Sequence, residues 1–352
     1  MRNKILQILF NLFKINEIKL HPLNYLFWEC TQRCNLCCLH CGSDCVSDAQ
    51  YKDMPFEDFL NAVLPLKNMY PPDSITVVIT GGEPLLRKDL PDCGKQLRKN
   101  GFRWGIVTNG YLYDNQKHTE LLSSGMGAIT VSLDGLEMHH NWLRCNPKSF
   151  QNAVDAIEII ATSQRLNYDI VTCVNKLNIN ELEEIKQLLL SKKVKNWRLF
   201  TIAPIGRAAH NPDLHLSPKE LHFLLAFIAK TRNEHKINTY FSCESYLGKY
   251  ERKVRDTFFF CRAGVNIASV LIDGSISACP NIDRTFSQGN IYKDNIAEIW
   301  ENKFQIMRHR QWAKKGICTT CKAFQHCKGG AMHLWDKQLT SNQACIFHRM
   351  NH

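Results

Sequence analysis

The sequence predicts an α/β protein: a parallel sheet covered by outer helices, followed by a small cysteine-rich domain containing a β-hairpin. Three observations predict it. From Asn24 to about Arg232, apolar β-branched runs alternate with helical patterns across short loops, as repeated β–α units do. After about His235 the alternation stops and cysteine spacing becomes the organiser. Finally, V-L-I-D-G-S-I-S at 270–277 alternates about an Asp-Gly pair, a strong hairpin signal. The expected organisation is an amphipathic segment 1–23, a first domain 24–235 and a second 236–352.

The first strand is expected at Tyr25-Leu26-Phe27-Trp28, with five more at Ile75–Thr80, Phe102–Thr108, Ala128–Leu133, Ile170–Val174 and Trp197–Ile202. Helical patterns lie between them at Phe56–Met69, Arg87–Lys99, Asn115–Ser123, Ser149–Ser163 and Ile179–Leu190. Asn180 with Glu183 three residues on predicts an N-cap and capping box for the last of these. Ser217-Pro218-Lys219-Glu220 combines a cap, a first-turn proline and an N3 carboxylate, and opens another helix. Periodicity does not distinguish an open sheet from a partial barrel.

Length and composition narrow the class. At 352 residues two domains are the natural expectation, and 44% hydrophobic residues suffice for an ordinary core. Sixteen cysteines without a convincing signal peptide favour a reducing, cytoplasmic compartment and metal ligation over disulfides. The net charge of +11 comes without an aromatic-interleaved basic stripe or a nucleic-acid module, so no nucleic-acid partner is expected. Residues 1–20 carry basic residues among apolar ones at helical spacing. Asn11, Lys14 and Asn16 interrupt that run, so it is too polar to span a bilayer. A helix packed on the outside of the sheet is expected there, with an amphipathic membrane contact as the alternative.

The stretch Cys30–Cys41, C-T-Q-R-C-N-L-C-C-L-H-C, follows the first strand. Five thiols in twelve positions suit a soft metal or an iron–sulfur cluster better than a disulfide framework. Two registers of C-x3-C-x2-C fit: Cys30, Cys34 and Cys37, or Cys34, Cys38 and Cys41. Here the chain resembles the radical S-adenosylmethionine (SAM) superfamily, whose usual phrase is T-x-x-C-N-L-x-C-x-x-C. Thr31 and Asn35-Leu36 place that phrase on Cys34, Cys38 and Cys41, and His40 fits the usually aromatic position before the third cysteine. The resemblance implies a partial (β/α)6 TIM-type barrel and a [4Fe–4S] cluster on those three thiolates. SAM would chelate the fourth iron.

Ligands of parallel α/β sheets collect at the carboxyl ends of the strands, where the other motifs fall. Gly81-Gly82-Glu83-Pro84 follows the second strand. Its glycines permit close backbone approach and Glu83 offers a carboxylate to a cation. By resemblance it is the motif that binds the SAM ammonium. Asn109 ends the third strand and Ser132-Leu133-Asp134-Gly135 the fourth, with Arg144 farther along. The resemblance assigns Ser132 and Arg144, with Asp134 beside them, to the SAM ribose and carboxylate. Taken singly, Ser132 also suits a helix cap and Arg144 a surface ion pair. Asn175 and Pro204-Ile205-Gly206-Arg207 end later strands and are expected to line the cavity.

A second cysteine set is Cys261, Gly274-x4-Cys279, Cys318-x2-Cys321-x5-Cys327 and Cys345. On Cys318, Cys321, Cys327 and Cys345 alone, an iron–sulfur cluster and a zinc ribbon are equally open. With the Cys261–Cys279 hairpin the set resembles the SPASM domain, which holds two auxiliary [4Fe–4S] clusters. That resemblance makes the four an outer cluster. For the inner one it leaves Cys261 and Cys279, with Cys243 as the nearest substitute. Ala331 stands where a cysteine is usual, and Arg255 and its neighbours offer no thiol. Cys45, Cys93, Cys145 and Cys173 are expected to be packed thiols. The family implies SAM cleavage and hydrogen abstraction from a peptide or protein substrate, with a reductant such as flavodoxin or ferredoxin. Sulfatase maturation is the alternative within the family, and a non-catalytic iron–sulfur or zinc scaffold the alternative outside it. Pro280, after Cys279, stands where sulfatase activators usually carry an aspartate.

Overall fold

A computed structural model describes residues 2–242, 244–342 and 344–351. Helix α1 (Arg2–Leu20) precedes strand β1 (Tyr25–Thr31). Then come α2 (Phe56–Val63), β2 (Thr76–Gly81), α3 (Leu90–Lys99), β3 (Arg103–Thr108), α4 (Asn115–Ser123), β4 (Ala128–Ser132), α5 (Glu137–Arg144), α6 (Ser149–Thr162), β5 (Asn167–Val174), α7 (Leu182–Ser191), β6 (Asn196–Thr201), α8 (Pro218–Glu234) and β7 (Asn238–Phe241). Strands β8 (Ile267–Val270), β9 (Ser275–Ser277) and β10 (Gly289–Asn290) complete one ten-stranded sheet, ordered β10-β9-β8-β1-β2-β3-β4-β5-β6-β7.

The six strands expected from the sequence are there, and the sheet runs past them at both edges. Strand β7 pairs parallel with β6, so the α/β alternation continues one unit beyond residue 235. Strand β8 pairs parallel with β1 and turns through Asp273-Gly274 into antiparallel β9, the hairpin expected there. Gly274 has φ +81°, the left-handed conformation such a turn needs. The hairpin therefore extends the barrel sheet and brings the second cysteine region to its edge. The main core runs between sheet and helices through fully buried Trp28, Trp104, Trp197 and Phe59.

Local chemistry explains where the elements begin and end. Ser217 and Glu220 form the expected capping box on α8. The predicted capping box at Asn180 is not made. A 3₁₀ turn covers Ile179–Glu181, α7 starts at Leu182, and no side chain caps it. The carboxylate of Glu181 is taken by the Leu136 amide at 2.9 Å and the His139 ring at 2.7 Å. Asn178 orders this turn instead, accepting from the Asn175 amide and donating to the carbonyls of Asp134 and Cys173. Helix α3 starts at Leu90, three residues later than its apolar pattern suggested. Arg87 is extended there, with its buried guanidinium on the carbonyls of Cys30 and Met54.

Helix α1 is formed, but it does not sit on the barrel helices. It packs on the second cysteine region. Lys14 donates to the His326 carbonyl at 3.1 Å, and Glu17 accepts from Asn266 at 2.9 Å. The Phe10 and Phe258 ring centroids lie 5.5 Å apart.

Candidate active site

The loop after β1 is held by its own backbone before any ligand is considered. The Cys34 amide donates to Val46 O at 2.9 Å, closing the loop on itself. Gly82 and Glu83 donate their amides to the carbonyls of Thr31 and Arg33 at 2.8 and 2.9 Å. A Cβ on Gly81 would stand 2.1 Å from Thr31 O, and one on Gly82 2.1 Å from Arg33 O. The close approach that needs these glycines is thus to the chain's own cysteine loop, and Gly81 adds a φ of +140°. Pro84, buried, starts the 3₁₀ turn that follows.

From the other side, Pro204–Arg207 clamps the loop rather than merely lining a cavity. Arg207 donates from Nε to Cys38 O at 2.9 Å and from Nη2 to Cys45 O at 2.8 Å, and its amide donates to Cys41 O at 2.9 Å. Gly206, at φ +56°, lies so close to Cys41 and Gly42 that a Cβ would be 2.5 Å from both carbonyl oxygens.

Cys34, Cys38 and Cys41 gather inside this frame with Leu36, Cys45 and Tyr111. Burial pushes the Cys34 thiol up to about 11 and the Cys38 thiol up to about 12. Cys41 is held below the ordinary thiol range, first by a hydrogen bond from Cys45. Cys30 is wholly buried, its thiol pushed well up, and belongs to the main core. Cys37 is exposed. Cys45, Cys93 and Cys173 are buried as expected, but Cys145, which ends α5 in the left-handed conformation at φ 53°, is exposed.

Glu83 is fully buried. It accepts from the Leu85 amide at 3.0 Å, Thr108 Oγ1 at 2.8 Å and the Asn109 amide at 2.8 Å. Burial nonetheless raises its pKa. The Asn109 side chain donates to Asn35 Oδ1 at 2.9 Å, tying the end of β3 to the cysteine loop. Ser132 ends β4, half-buried, in register with Val171. Asn175 is buried in its turn, its side chain on Cys173 O and the Leu177 amide, and does not line the large cavity described below.

Asp134 is the hub. Its Oδ2 takes Arg144 Nη2 at 2.6 Å, Arg144 Nε at 3.0 Å and His40 Nε2 at 3.2 Å, and its Oδ1 takes the Cys173 amide at 2.8 Å. Arg144 is buried, so the surface ion pair does not apply. Its carboxylate partner lies within the chain, and Nη1 points to Cys38 Sγ at 4.0 Å. Burial alone would raise Asp134, but Arg144 and then His40 hold it well below the usual carboxylate range. Behind it, His140 accepts from the Asp134 amide at 3.0 Å, and burial with Arg144 lowers its pKa to about 3. Sequence reasoning found Asp134 and Arg144 but missed the links between them and to His40 and His140. The i, i+4 spacing of His140 and Arg144 on one helix was the available signal.

In the second cysteine region, Cys318, Cys321, Cys327 and Cys345 line one small cavity with Ser245, Tyr246 and Phe347. Burial pushes Cys318 up to about 11 and raises Cys327 and Cys345, each with thiol neighbours from this set. Cys261 has different company. It packs beside Ala331, Leu334, Ala344 and Ala203 and faces the guanidinium of Arg310. That guanidinium is buried and donates to Gly330 O at 2.6 Å. Cys279 packs on the edge of the main core. Cys243 lies outside the described residues.

The donor sets fit iron–sulfur cubes. Three gathered thiols beside a buried cation suit an anionic cluster, as do four thiols lining one cavity. A single ion needs its donors around one point, and no three His, Cys, Asp or Glu side chains among the described residues meet that demand. A cube spreads its thiolates over separate irons and does not make it.

A cavity of about 740 Å³ opens beside the cysteine loop. Glu29, Gly42 to Asp44 and Pro204 to Gly206 line it from the barrel, and Pro280 to Thr285 with His333 to Lys337 from the second region. Its fixed charges are Glu29, Asp44, Asp283, Asp336, Arg284 and Lys337. Arg284 pairs with Glu29 at 2.8 Å and Asp273 at 2.9 Å, and Lys337 with Asp283 at 3.4 Å.

Comparison with known proteins agrees with this geometry. Residues 28–189 match the radical SAM superfamily and residues 261–322 an iron–sulfur cluster-binding domain, SPASM. The chain is 24% identical to an AdoMet-dependent heme synthase of Methanosarcina barkeri, over 91% of this chain and 95% of that one. It is 25% identical to the mycofactocin maturase MftC of Mycolicibacterium smegmatis, over 87% and 77%. Among solved structures, Streptococcus suis SuiB bound to its precursor peptide SuiA has a TM-score of 0.72 at 15% identity, covering 96% of this chain and 79% of that one. Native anSMEcpe with bound AdoMet has 0.70 at 19% identity, covering 94% and 95%. At these identities the structures speak for the fold.

Proposed function

This chain belongs to the radical SAM superfamily, in its SPASM-domain branch, and on that premise we propose that it oxidatively modifies a peptide or protein by hydrogen abstraction. Its cofactors are [4Fe–4S] clusters and SAM. When bound, they supply one-electron cleavage of SAM to a 5′-deoxyadenosyl radical that takes hydrogen from the substrate. The chain's own residues hold and shield that chemistry. Cys34, Cys38 and Cys41 are the ligands, and Arg144, with Asp134 and His40 fixing it, places buried positive charge beside Cys38. Glu83, oriented by Thr108 and Asn109, presents a carboxylate to the SAM ammonium, and Ser132 stands at the ribose. Flavodoxin or ferredoxin would supply the electron. In the second region, Cys318, Cys321, Cys327 and Cys345 hold the auxiliary cluster.

The large cavity carries the substrate reading. Its four carboxylates outnumber its two fixed cations, and both cations are already paired within the chain. A tetrapyrrole with several propionates would ask for free arginines or lysines. A neutral or basic peptide segment does not. Sulfatase maturation is disfavoured by Pro280, which lines the cavity where that reaction needs a base.

The test is anaerobic reconstitution with reductant, SAM and a peptide encoded beside this chain. 5′-Deoxyadenosine and the peptide mass are followed together. A peptide losing hydrogen in step with 5′-deoxyadenosine supports the proposal. Turnover of an iron–coproporphyrin with no change in any peptide overturns it. A sulfatase Cys or Ser peptide should yield no formylglycine.

A further inference from the structure

Helix α1 is built the wrong way round for a helix that only stabilises its own fold. An ordinary surface helix buries its apolar stripe and shows its polar face to water. Here polar residues carry much of the attachment, beside the Phe10–Phe258 contact. Lys14, 9% exposed, bonds to His326 O, and Glu17 is held by Asn266 at 2.9 Å and Arg262 at 3.4 Å. The aliphatic residues face outward: Ile5, Ile8, Leu9, Leu12, Ile15 and Leu20 are each more than half exposed, and Phe13 is 40% exposed. At 100° per residue these positions share one side of the helix. Only Asn16 and Lys19 interrupt this side, and so large an exposed apolar surface is not left in water without a reason.

The charge around the stripe says what covers it. Of the helix's own charged side chains, Lys14 and Glu17 are used in the attachment and Lys19 stands exposed on the outward side. The rim adds cations from the body: Arg262 lies over the Phe13 ring at 5.7 Å, and Arg252 over Phe258, whose ring packs tilted against Phe10. An apolar stripe flanked by Arg and Lys matches an anionic bilayer surface, where aliphatic side chains enter the acyl boundary and cations stay at the headgroups. Among the described residues no helix is long and apolar enough to cross a membrane, so α1 would lie in the interface.

We propose that α1 docks the protein peripherally on anionic phospholipid membranes through Ile8, Leu9, Leu12 and Ile15. Lys14 ties the helix to His326, next to cluster ligand Cys327, so the membrane would lie on the auxiliary-cluster side of the molecule.

The test uses reconstituted full-length protein in sedimentation with vesicles of phosphatidylcholine alone or mixed with phosphatidylglycerol. Binding should require phosphatidylglycerol and weaken at high salt. Leu9→Glu with Leu12→Glu should weaken it by at least about tenfold, since each change removes an aliphatic side chain from the acyl boundary. Both positions are exposed, so iron content and SAM cleavage should match the wild type. Absence of binding to the mixed vesicles overturns the proposal. So does a concentration-dependent dimer that the same double change abolishes, which would make the stripe an interface between two copies.

Discussion

Around Cys34, Cys38 and Cys41 the protein forms a prepared frame, whereas around Cys261 and Cys279 it has filled the space with other chemistry. The first loop is closed on Val46, braced by Gly81–Glu83 and clamped by Arg207, with the Asp134–Arg144 pair beneath Cys38. At the second, an alanine, a leucine and a buried guanidinium stand beside the first cysteine. The lesson concerns spacing. Cysteines at family intervals mark both places, and a buried guanidinium stands at each, but the first loop is also closed by its own backbone hydrogen bonds and its guanidinium is fixed by the Asp134 carboxylate.

The sharpest way to break this contrast is to remove thiols from the frame. Cys34→Ala, Cys38→Ala and Cys41→Ala should each take reductive SAM cleavage to background. Cys37→Ala, at an exposed thiol, and Cys30→Val, in the core, should retain it. Cleavage surviving Cys41→Ala but lost with Cys37→Ala would mean that the cluster uses the other register.

Next in size is the countercharge. Asp134→Asn leaves buried Arg144 without its carboxylate. Breaking such a pair costs roughly 3–5 kcal/mol, so thermal unfolding should show a drop of several degrees together with weakened SAM binding. Unchanged stability would show that Asp134 is not the hub the geometry makes it.

The second region is tested by iron. With roughly four irons to a cube, the protein should hold about eight per chain rather than about twelve. Removing Cys318, Cys321 and Cys327 together should take away one cluster and leave the SAM-cleaving one. Cys261→Ala should leave iron unchanged. Three stable cubes in the wild type, one of them lost with Cys243→Ala, would reverse the contrast and give the inner site an open iron.

Much of the fold was legible because β–α periodicity, the Asp-Gly hairpin and the Ser217 capping box are local signals. What escaped depends on partners distant in the chain. Strand β7 is four residues long, and its pairing with β6 is a tertiary fact. Asn180 looked like a cap, but the turn is ordered by Asn178 reaching back to Asp134 O. Arg207 and Asp134 could be placed near the site as residue types after strands. Which atoms they bind follows only from the fold. Helix α1 was legible as amphipathic, but its polar-side attachment was not, because that depends on Asn266 and His326.

The smallest effect expected is a slope in pH, and it sharpens the contrast by asking whether the frame is a fixed structure. His140 Nδ1 accepts from the Asp134 amide, so the ring must stay neutral to hold the hub. Its folded pKa is lowered to about 3, while an unfolded histidine titrates near 6.5. Below about 6.5 the unfolded chain therefore binds a proton that the folded chain refuses, and stability falls as pH falls, by at most about 1.4 kcal/mol per unit for one group. His140→Asn can keep an acceptor near the Nδ1 position but cannot take up that proton. Urea unfolding of the reconstituted protein between pH 7.0 and 5.5 should show a steeper decline for the wild type than for the variant. Parallel slopes would mean that His140 is already protonated in the folded state, and that its bond to the Asp134 amide is not part of the frame.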